Sequence, residues 1–292
     1  MERLYFIVNP VAGTGRGAKC FAQVKGILEQ RNADFGFAFS EYPGHAVELA
    51  RAALAAGEKR IVAVGGDGTV NEVASALCGS GTIMGILPFG TGNDLSRTLG
   101  LPTEPAEALE VLLTGRPRPL DAGMANGRFF INAAGYGFDV DVIRRVEKYK
   151  KRLNGMLPYL LGIVEALFHL RRLRLTIRRP QGVVETDAYI IVAGNGRYLG
   201  GGMQATPEAD PFDGLLDVCL VRSMPSYKFL FAIARFVKGT HLNLPEVDYF
   251  KAAEIQVDCP AGGPMEMDGE LCEGMPVTFR VRPGAIPMLV RP

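Results

Sequence analysis

Short apolar runs alternate with amphipathic stretches over the first 120 or so residues. The pattern predicts strands at 4–9, 34–40, 61–64 and 84–87, and helices at 17–30, 46–56, 71–78 and 106–114, with Gly57 stopping the second helix. Apolar strands that alternate with helices imply a parallel sheet covered on both faces. Ligands of such sheets bind at the C-terminal strand ends. The pattern changes after Arg116-Pro117-Arg118-Pro119. Strand signals then dominate, at 129–133, 173–178, 188–193, 214–221, 254–257, 266–268 and 277–281. Helices are predicted near 140–151 and 157–170, and at 226–238. The fold class is therefore an α/β N-terminal domain followed by a mainly antiparallel β domain. No internal repeat is visible.

Composition narrows this picture. The 292 residues are enough for two ordinary domains, and 48% apolar with 22% charged residues is a globular balance. Lys+Arg 32 nearly cancels Asp+Glu 31, so the surface as a whole makes no case for nucleic acid. Cys20, Cys78, Cys219, Cys259 and Cys272 are scattered and odd in number, which argues for reduced thiols in a cytoplasm and against zinc or a disulfide framework. The N-terminal apolar run is too short for a signal peptide. The longest apolar stretch, 156–170, is broken by Pro158, Glu165 and His169. It is shorter than the roughly 20 residues a membrane span needs. The expectation is a soluble, cytoplasmic protein able to touch a membrane. Two basic clusters flank that stretch: one runs from Arg144 to Arg152, the other holds Arg171, Arg172, Arg174, Arg178 and Arg179. A solvated helix face accounts for them, and so does attraction to a transient anionic membrane surface. Exposed strand edges in the β domain are compatible with a homodimer.

The candidate chemistry sits in glycine-rich turns. Gly65-Gly66-Asp67-Gly68-Thr69 follows an apolar strand and precedes Val70-Asn71-Glu72 at a predicted helix start. Glycines let the backbone approach an anion, and a helix N-terminus offers unpaired N–H groups. Asp67 can hold Mg²⁺ or accept a proton, and Thr69 can donate to a phosphate oxygen. A second turn, Gly90-Thr91-Gly92-Asn93-Asp94, follows the next strand. Asn9-Pro10-Val11-Ala12-Gly13 follows the first strand; it fits neither the P-loop nor the G-x-G-x-x-G pattern. Ser40 closes the second strand, either beside the nucleotide or as a plain strand-end hydroxyl. The turn Asp210-Pro211-Phe212-Asp213-Gly214-Leu215 reads as an acidic hairpin turn or an oxygen-ligand metal site. Met267-Asp268-Gly269-Glu270 reads as a type I′ turn or as a carboxylate that orients and deprotonates a hydroxyl. His45, His169 and His241 have no ligand-like spacing.

These residues together resemble the bacterial diacylglycerol kinase-like lipid kinases, whose catalytic domain also occurs in sphingosine and ceramide kinases. The resemblance covers nearly the whole chain. It rests on Asn9-Pro10-x-Ala12-Gly13, Gly65-Gly66-Asp67-Gly68-Thr69-x-Asn71-Glu72, Gly90-Thr91-Gly92-Asn93-Asp94, Leu120-Asp121-Ala122-Gly123 and Asp268-Gly269-Glu270. It implies a phosphofructokinase-like N-terminal domain at 1–122, rejoined by about 284–292, and a β-sandwich at 123–283, with ATP in the cleft between them. It implies a nucleotide set of Asn9, Pro10, Val11, Ala12, Gly13, Ser40, Gly65, Gly66, Asp67, Gly68, Thr69, Val70, Asn71 and Thr91, to which Asn93 of the second turn is added. The family's proton acceptor falls on Glu270, with Asp268 beside it. A structural Mg²⁺ site falls on Asp210, Asp213 and the Leu215 carbonyl. Catalytic Mg²⁺ is expected near Asp67, with Asp94 or Asp121 acting through water. The implied activity is ATP- and Mg²⁺-dependent phosphorylation of a diacylglycerol-like lipid. The alternatives are an NAD kinase or other small-molecule kinase sharing Gly-Gly-Asp-Gly-Thr, and a nucleotide-binding regulator without catalysis.

Overall fold

Strand and helix alternate from the first residues of the chain. In this computed structural model, which describes residues 2–150, 153 and 157–292, the first elements are β1 (Leu4–Val8), α1 (Ala12–Gln30), β2 (Phe35–Phe39), α2 (His45–Ala55), β3 (Arg60–Gly65), α3 (Asp67–Leu77), β4 (Ile83–Pro88), the short α4 (Asp94–Thr98), α5 (Pro105–Thr114) and β5 (Arg116–Ala125). There follow β6 (Arg128–Phe130), β7 (Ala133–Gly137), α6 (Phe138–Lys150), α7 (Leu157–Leu167), β8 (Leu173–Arg179), β9 (Gly182–Gly194), β10 (Leu216–Arg222), α8 (Ser226–Lys238), β11 (Val247–Ala252), β12 (Glu254–Asp258), β13 (Pro264–Met267), β14 (Glu270–Glu273) and β15 (Val277–Val290). The chain divides into two units: residues 1–122 with 283–292, and residues 123–282.

In unit 1, β2, β1, β3 and β4 pair in parallel in that order, and Met288 in the last part of β15 pairs with Met84 on the far edge. Both faces of the sheet are covered, so the strands are apolar throughout. Phe6, Val8, Val62, Val64 and Leu87 pack with Phe21, Val24 and Leu28 of α1 and with Leu109 and Leu112 of α5. Ile7, Ile61 and Ala63, which alternate with them, are equally buried, and α2 and α3 pack together against β1 and β3. Every strand of the set points the same way, so Asn9, Ser40, Gly66 and Phe89 all leave the sheet at one edge.

Several bounds differ from the expected ones, and the sequence pattern predicts none of β11, β14 and the short α4; three of the differences have clear physical reasons. Helix α3 begins at Asp67, not at residue 71, because Gly66 takes the N-cap and the Asp67 carboxylate suits the first turn. Pro117 and Pro119, read as a break, lie inside β5. Proline is excluded from a strand only where its missing N–H would be needed. The strand expected at 129–133 splits into β6 and β7, because the N–H groups of Ile131, Asn132 and Ala133 turn to the Asp268 carboxylate.

Unit 2 is antiparallel. Strand β9 pairs with β7, β8 and β10; β8 pairs with β12, β7 with β13, β13 with β14, and β10 with β11. Alternate residues of one strand feed two cores. Val218 and Leu220 of β10 join one with Ile191, Ile255, Met265 and Phe279. Cys219 and Val221 join the other, which α6, α7 and α8 cover through Phe138, Ala166 and Phe229. Among the described residues, no helix is long and apolar enough to cross a membrane. Lys151 and Arg152 of the first basic cluster, and the last residue of the helix expected at 140–151, lie outside the described residues. Part of the remaining charge is neutralised within the unit: Arg145 and Arg171 pair with Asp141, and Lys148 with Glu165.

Candidate active site

The three glycine turns of unit 1 meet backbone to backbone. Gly13 has a φ of 57°, and a methyl group there would sit 2.3 Å from the Phe89 carbonyl oxygen. A methyl on Gly90 would sit 2.3 Å from the Gly66 Cα and 2.8 Å from Asn93 Oδ1. The N–H groups of Phe89 and Gly90 both donate to the Gly65 carbonyl, at 2.9 and 3.1 Å. Only residues without a Cβ allow these crossings.

Polar side chains then lock the turns. Asn9 donates through Nδ2 to Thr69 Oγ1 (3.1 Å) and accepts the Val11 N–H at Oδ1 (3.2 Å). Thr69, expected to donate to a phosphate, is buried and accepts here, which leaves its hydroxyl proton to donate. Asn93 adopts the left-handed conformation, accepts the Gly90 N–H, and donates to the Pro88 and Gly90 carbonyls. Its side chain thus builds the second turn. Ser40 donates weakly back to the Val8 carbonyl at 3.5 Å. Pro10, Val11 and Ala12 carry the first turn, and Val11 is its exposed tip. Gly68 and Thr91 are exposed, Asn71 is half-buried and Val70 is buried.

Asp67 lies at the centre. Its two oxygens accept the N–H groups of Asn93 (2.8 Å) and Asp94 (2.6 Å). Burial pushes its carboxyl above the usual carboxylate range, against the pull of those backbone donors. Asp94, whose backbone N–H makes the second of these bonds, is itself buried. Carboxylate oxygens are the donor type that a hard divalent cation prefers. Asp121 is also buried, and its Oδ1 accepts the Gly284 N–H at 2.7 Å, tying β5 to the final segment. Among the described residues no three His, Cys, Asp or Glu side chains converge as a metal cluster, so solvent would complete any shell. Glu72 closes the Gly65–Glu72 motif, in which spacing assigned it no role: it accepts the Gly44 and Ala46 N–H groups and caps α2. Arg97, which donates to the Gly92 carbonyl, belongs to no pattern that spacing alone reveals.

Unit 2 holds the late acidic motif and the acidic turn. Asp268, at a φ of 46°, accepts three backbone N–H groups, from Ile131 (2.7 Å), Asn132 (3.0 Å) and Ala133 (3.0 Å). Its lone pairs are spent on the fold. Glu270 opens β14 and is exposed. In the other turn, Asp210 accepts the Phe212 N–H and Asp213 the Leu215 N–H, as in ordinary Asx turns. Asp213 Oδ2 pairs with Lys251 Nζ at 2.7 Å, and the same ammonium lies 3.3 Å from the buried Asp217. Lys251 is thus a cationic partner of this turn.

Unit 2 also contains an apolar pocket of about 830 Å³, its open mouth included, walled by α6, α7, α8 and the sheet. Ile143, Ile163, Val221, Phe229 and Phe236 line it. His241 lies in its wall, stacked on Phe236, and burial lowers its pKa to about 4, so it is neutral at pH 7. Hydrophobic spacing gave the apolar faces of these helices but not the space left between them.

Residues 3–125 match the diacylglycerol kinase catalytic domain, and residues 132–290 match the YegS C-terminal NAD kinase beta sandwich-like domain. The chain is 35% identical over 252 residues to the "Probable lipid kinase YegS-like" protein of Chromohalobacter salexigens, covering 83% of this chain and 79% of that one. It is 32% identical over 291 residues to the diacylglycerol kinase of Mycobacterium tuberculosis, covering 97% and 93%. Among solved structures, a diacylglycerol kinase from Bacillus anthracis superposes with a TM-score of 0.77 at 25% identity, over 100% of this chain and 97% of that one.

Proposed function

This chain belongs to the diacylglycerol kinase catalytic-domain family, a family of lipid kinases, and on that premise we propose that it transfers the γ-phosphoryl group of ATP to the hydroxyl of a diacylglycerol-like lipid. The observation that carries this reading is the crossing of the Gly13, Gly66 and Gly90 turns around Asp67 at one sheet edge. Their backbone N–H groups would hold the phosphates, as helix N-termini and glycine turns do elsewhere. Thr69 and Asn9 set the first turn against the second, and Asn93 fixes the conformation of the second. Asp67 and Asp94 would hold Mg²⁺, which when bound neutralises charge on the transferred phosphoryl group. Glu270 takes the hydroxyl proton in preference to Asp268, because its carboxylate is exposed while that of Asp268 is spent on three backbone donors. Most of the catalysis is positioning and electrostatic stabilisation, which this arrangement supplies without covalent chemistry.

The apolar pocket of unit 2 takes an acyl chain. Helices α7 and α8, which wall it with Ile163 and Phe229, also expose apolar side chains outward. Leu157, Leu160 and Val164 do so on α7, as do Tyr227, Leu230 and Phe231 on α8; Phe231 is 70% exposed. Arg235 and Lys238 lie near the end of α8. This outer face meets an anionic bilayer peripherally, where each nearby cation contributes about 1 kcal/mol.

The test is transfer of labelled γ-phosphate from Mg-ATP to a lipid panel in mixed micelles, with NAD as a competing acceptor. Wild type labels a lipid, and Asp67→Ala loses at least about 10³-fold in rate while staying folded at the assay temperature. Its unfolding midpoint is lowered, because the Asn93 and Asp94 N–H groups lose their acceptor. Normal turnover by Asp67→Ala overturns the site, and labelled NAD without labelled lipid overturns the acceptor class.

A further inference from the structure

The turn that leads into Glu270 has one anchored residue and one loose one. Met267 pairs with Glu270 and Glu266 with Leu271, so Asp268 and Gly269 alone join β13 to β14. Both are left-handed, at φ 46° and 90°, the pattern of a two-residue type I′ hairpin. Asp268 is anchored to the body of unit 2. Its N–H donates to the Ala133 carbonyl at 3.0 Å, and its carboxylate holds the three N–H groups described above. Gly269 is exposed, and beyond its chain neighbours no atom lies within 4 Å of the place a Cβ would take. Packing does not hold it. Its N–H donates instead to Glu266 Oε1 at 2.7 Å.

Glu266 is an unusual acceptor for a surface turn. It lies in β13 between Met265 and Met267, is fully buried, and lines the apolar pocket with Asp139 and Gly269. The sheet makes room for it. Glu266 pairs with Gly135 of β7, so the two residues share one face of the sheet. The space over Gly135 is used by Asp139: a methyl on residue 135 would sit 1.9 Å from Asp139 Oδ2. The two buried acids therefore share one end of the pocket. Burying a carboxyl group is unfavourable unless hydrogen bonds return the loss. A methionine, like the residues on either side, would fill a similar volume without that cost. The bond that Glu266 makes is aimed at the one residue of the turn with conformational freedom.

We propose that Glu266 is a positioning residue for the phosphoryl transfer: by holding the Gly269 N–H it fixes the backbone that precedes Glu270 and so aims the Glu270 carboxylate. The inference rests on the reading of Glu270 as proton acceptor given above. Rotation at Gly269 would swing the start of β14, and misplacing a reacting group by about 1 Å can cost about 10²-fold in rate. Glu266 itself meets no reacting atom. Asp268 anchors the start of the turn, and Glu266 secures its end.

A mutant cycle, with a separate reading of the hydrogen bond, tests this. Transfer from Mg-ATP to the lipid that wild type labels is measured for four variants. Glu266→Met removes the acceptor at similar volume, and Glu266→Gln keeps an acceptor oxygen. Glu270→Gln, alone and combined with Glu266→Met, completes the cycle. Glu266→Met lowers kcat about 10- to 100-fold and leaves KM for ATP within about twofold. Glu266→Gln stays within about threefold of the wild-type kcat. In the Glu270→Gln background, Glu266→Met costs less than about twofold more, because no carboxylate remains to be aimed. Hydrogen exchange at the Gly269 amide, followed without substrate, is slowed at least about tenfold in wild type, and Glu266→Met abolishes the slowing. Losses that multiply in the double variant reveal a merely structural role and overturn the proposal. So do a Gly269 amide that exchanges freely in wild type and a Glu266→Met enzyme at full rate. If Glu266→Met does not fold, Glu266→Gln takes its place in the cycle. A freely exchanging wild-type amide, or a Glu266→Gln loss that persists in the Glu270→Gln background, then overturns the proposal. A wild type that labels no acceptor, or a Glu270→Gln enzyme at full rate, overturns the earlier reading and this one together. A slow Glu270→Gln enzyme with any of the adverse results above overturns this one alone.

Discussion

The glycine cradle of unit 1 and the apolar pocket of unit 2 are built by opposite means. The cradle is made of backbone. Its glycines are demanded by crossings as close as the 2.3 Å that a Gly90 methyl would leave to Gly66, and its side chains mostly brace other turns. The pocket is made of side chains on three helices and a sheet, and its polarity comes from two buried acids at one end. A backbone site must be built from a few residue types at fixed spacing, because only glycine permits the approach. A side-chain pocket can be lined by any apolar residues of suitable volume. The cradle is therefore rigid in sequence and general in what it holds. The pocket is loose in sequence, and on the proposed function it is where selectivity between lipids would reside.

The comparison breaks most sharply at the acidic motif, the part of unit 2 assigned to chemistry. Glu270→Gln should lower phosphoryl transfer by about 10²–10⁴-fold and leave ATP binding unchanged. Asp268→Asn should instead lower thermal stability, because one amide oxygen replaces a carboxylate that three backbone N–H groups hold. Parallel rate measurements and melting curves check both. A Glu270→Gln enzyme with full activity would reassign the proton acceptor.

Within the cradle, Gly90→Ala sharpens the contrast. The added methyl collides with Gly66 backbone, which cannot rotate away as a side chain would. The expected result is ATP binding weakened at least about tenfold and a stability loss of about 1–3 kcal/mol. Phe236→Ala, at the pocket, should change lipid affinity and leave ATP affinity untouched. Titration of nucleotide and lipid against both variants gives the comparison directly, and equal effects on both ligands from either variant would erase the distinction drawn between the two regions.

The smallest expected effect belongs to the outer face of α8. Leu230→Ser with Phe231→Ser removes two exposed apolar side chains that line nothing inside. Co-sedimentation with anionic vesicles should fall several-fold, while turnover of a monomeric short-chain lipid stays within about twofold. Unchanged sedimentation would remove this face from the membrane reading.

Much of this protein was legible in the sequence. Strand–helix alternation before Arg116 and strand dominance after it fixed the two fold types, because buried parallel strands need crossover helices and antiparallel strands do not. The Gly65–Thr69 and Gly90–Asp94 turns marked the cradle, because close backbone approach restricts composition. The sequence did not separate Asp268 from Glu270. Both are acids two residues apart, and only the folded chain brings the N–H groups of Ile131, Asn132 and Ala133 onto one of them. It did not show that Lys251 answers Asp213 from another strand. Nor did it single out Asp139 and Glu266, whose proximity depends on the register of β7 with β13 and on the empty face of Gly135. Local spacing determined what must be glycine, helix or strand. Long-range pairing decided which of several acids is structural, which is exposed and which is buried at the pocket, since those outcomes depend on atoms more than a hundred residues away in the chain.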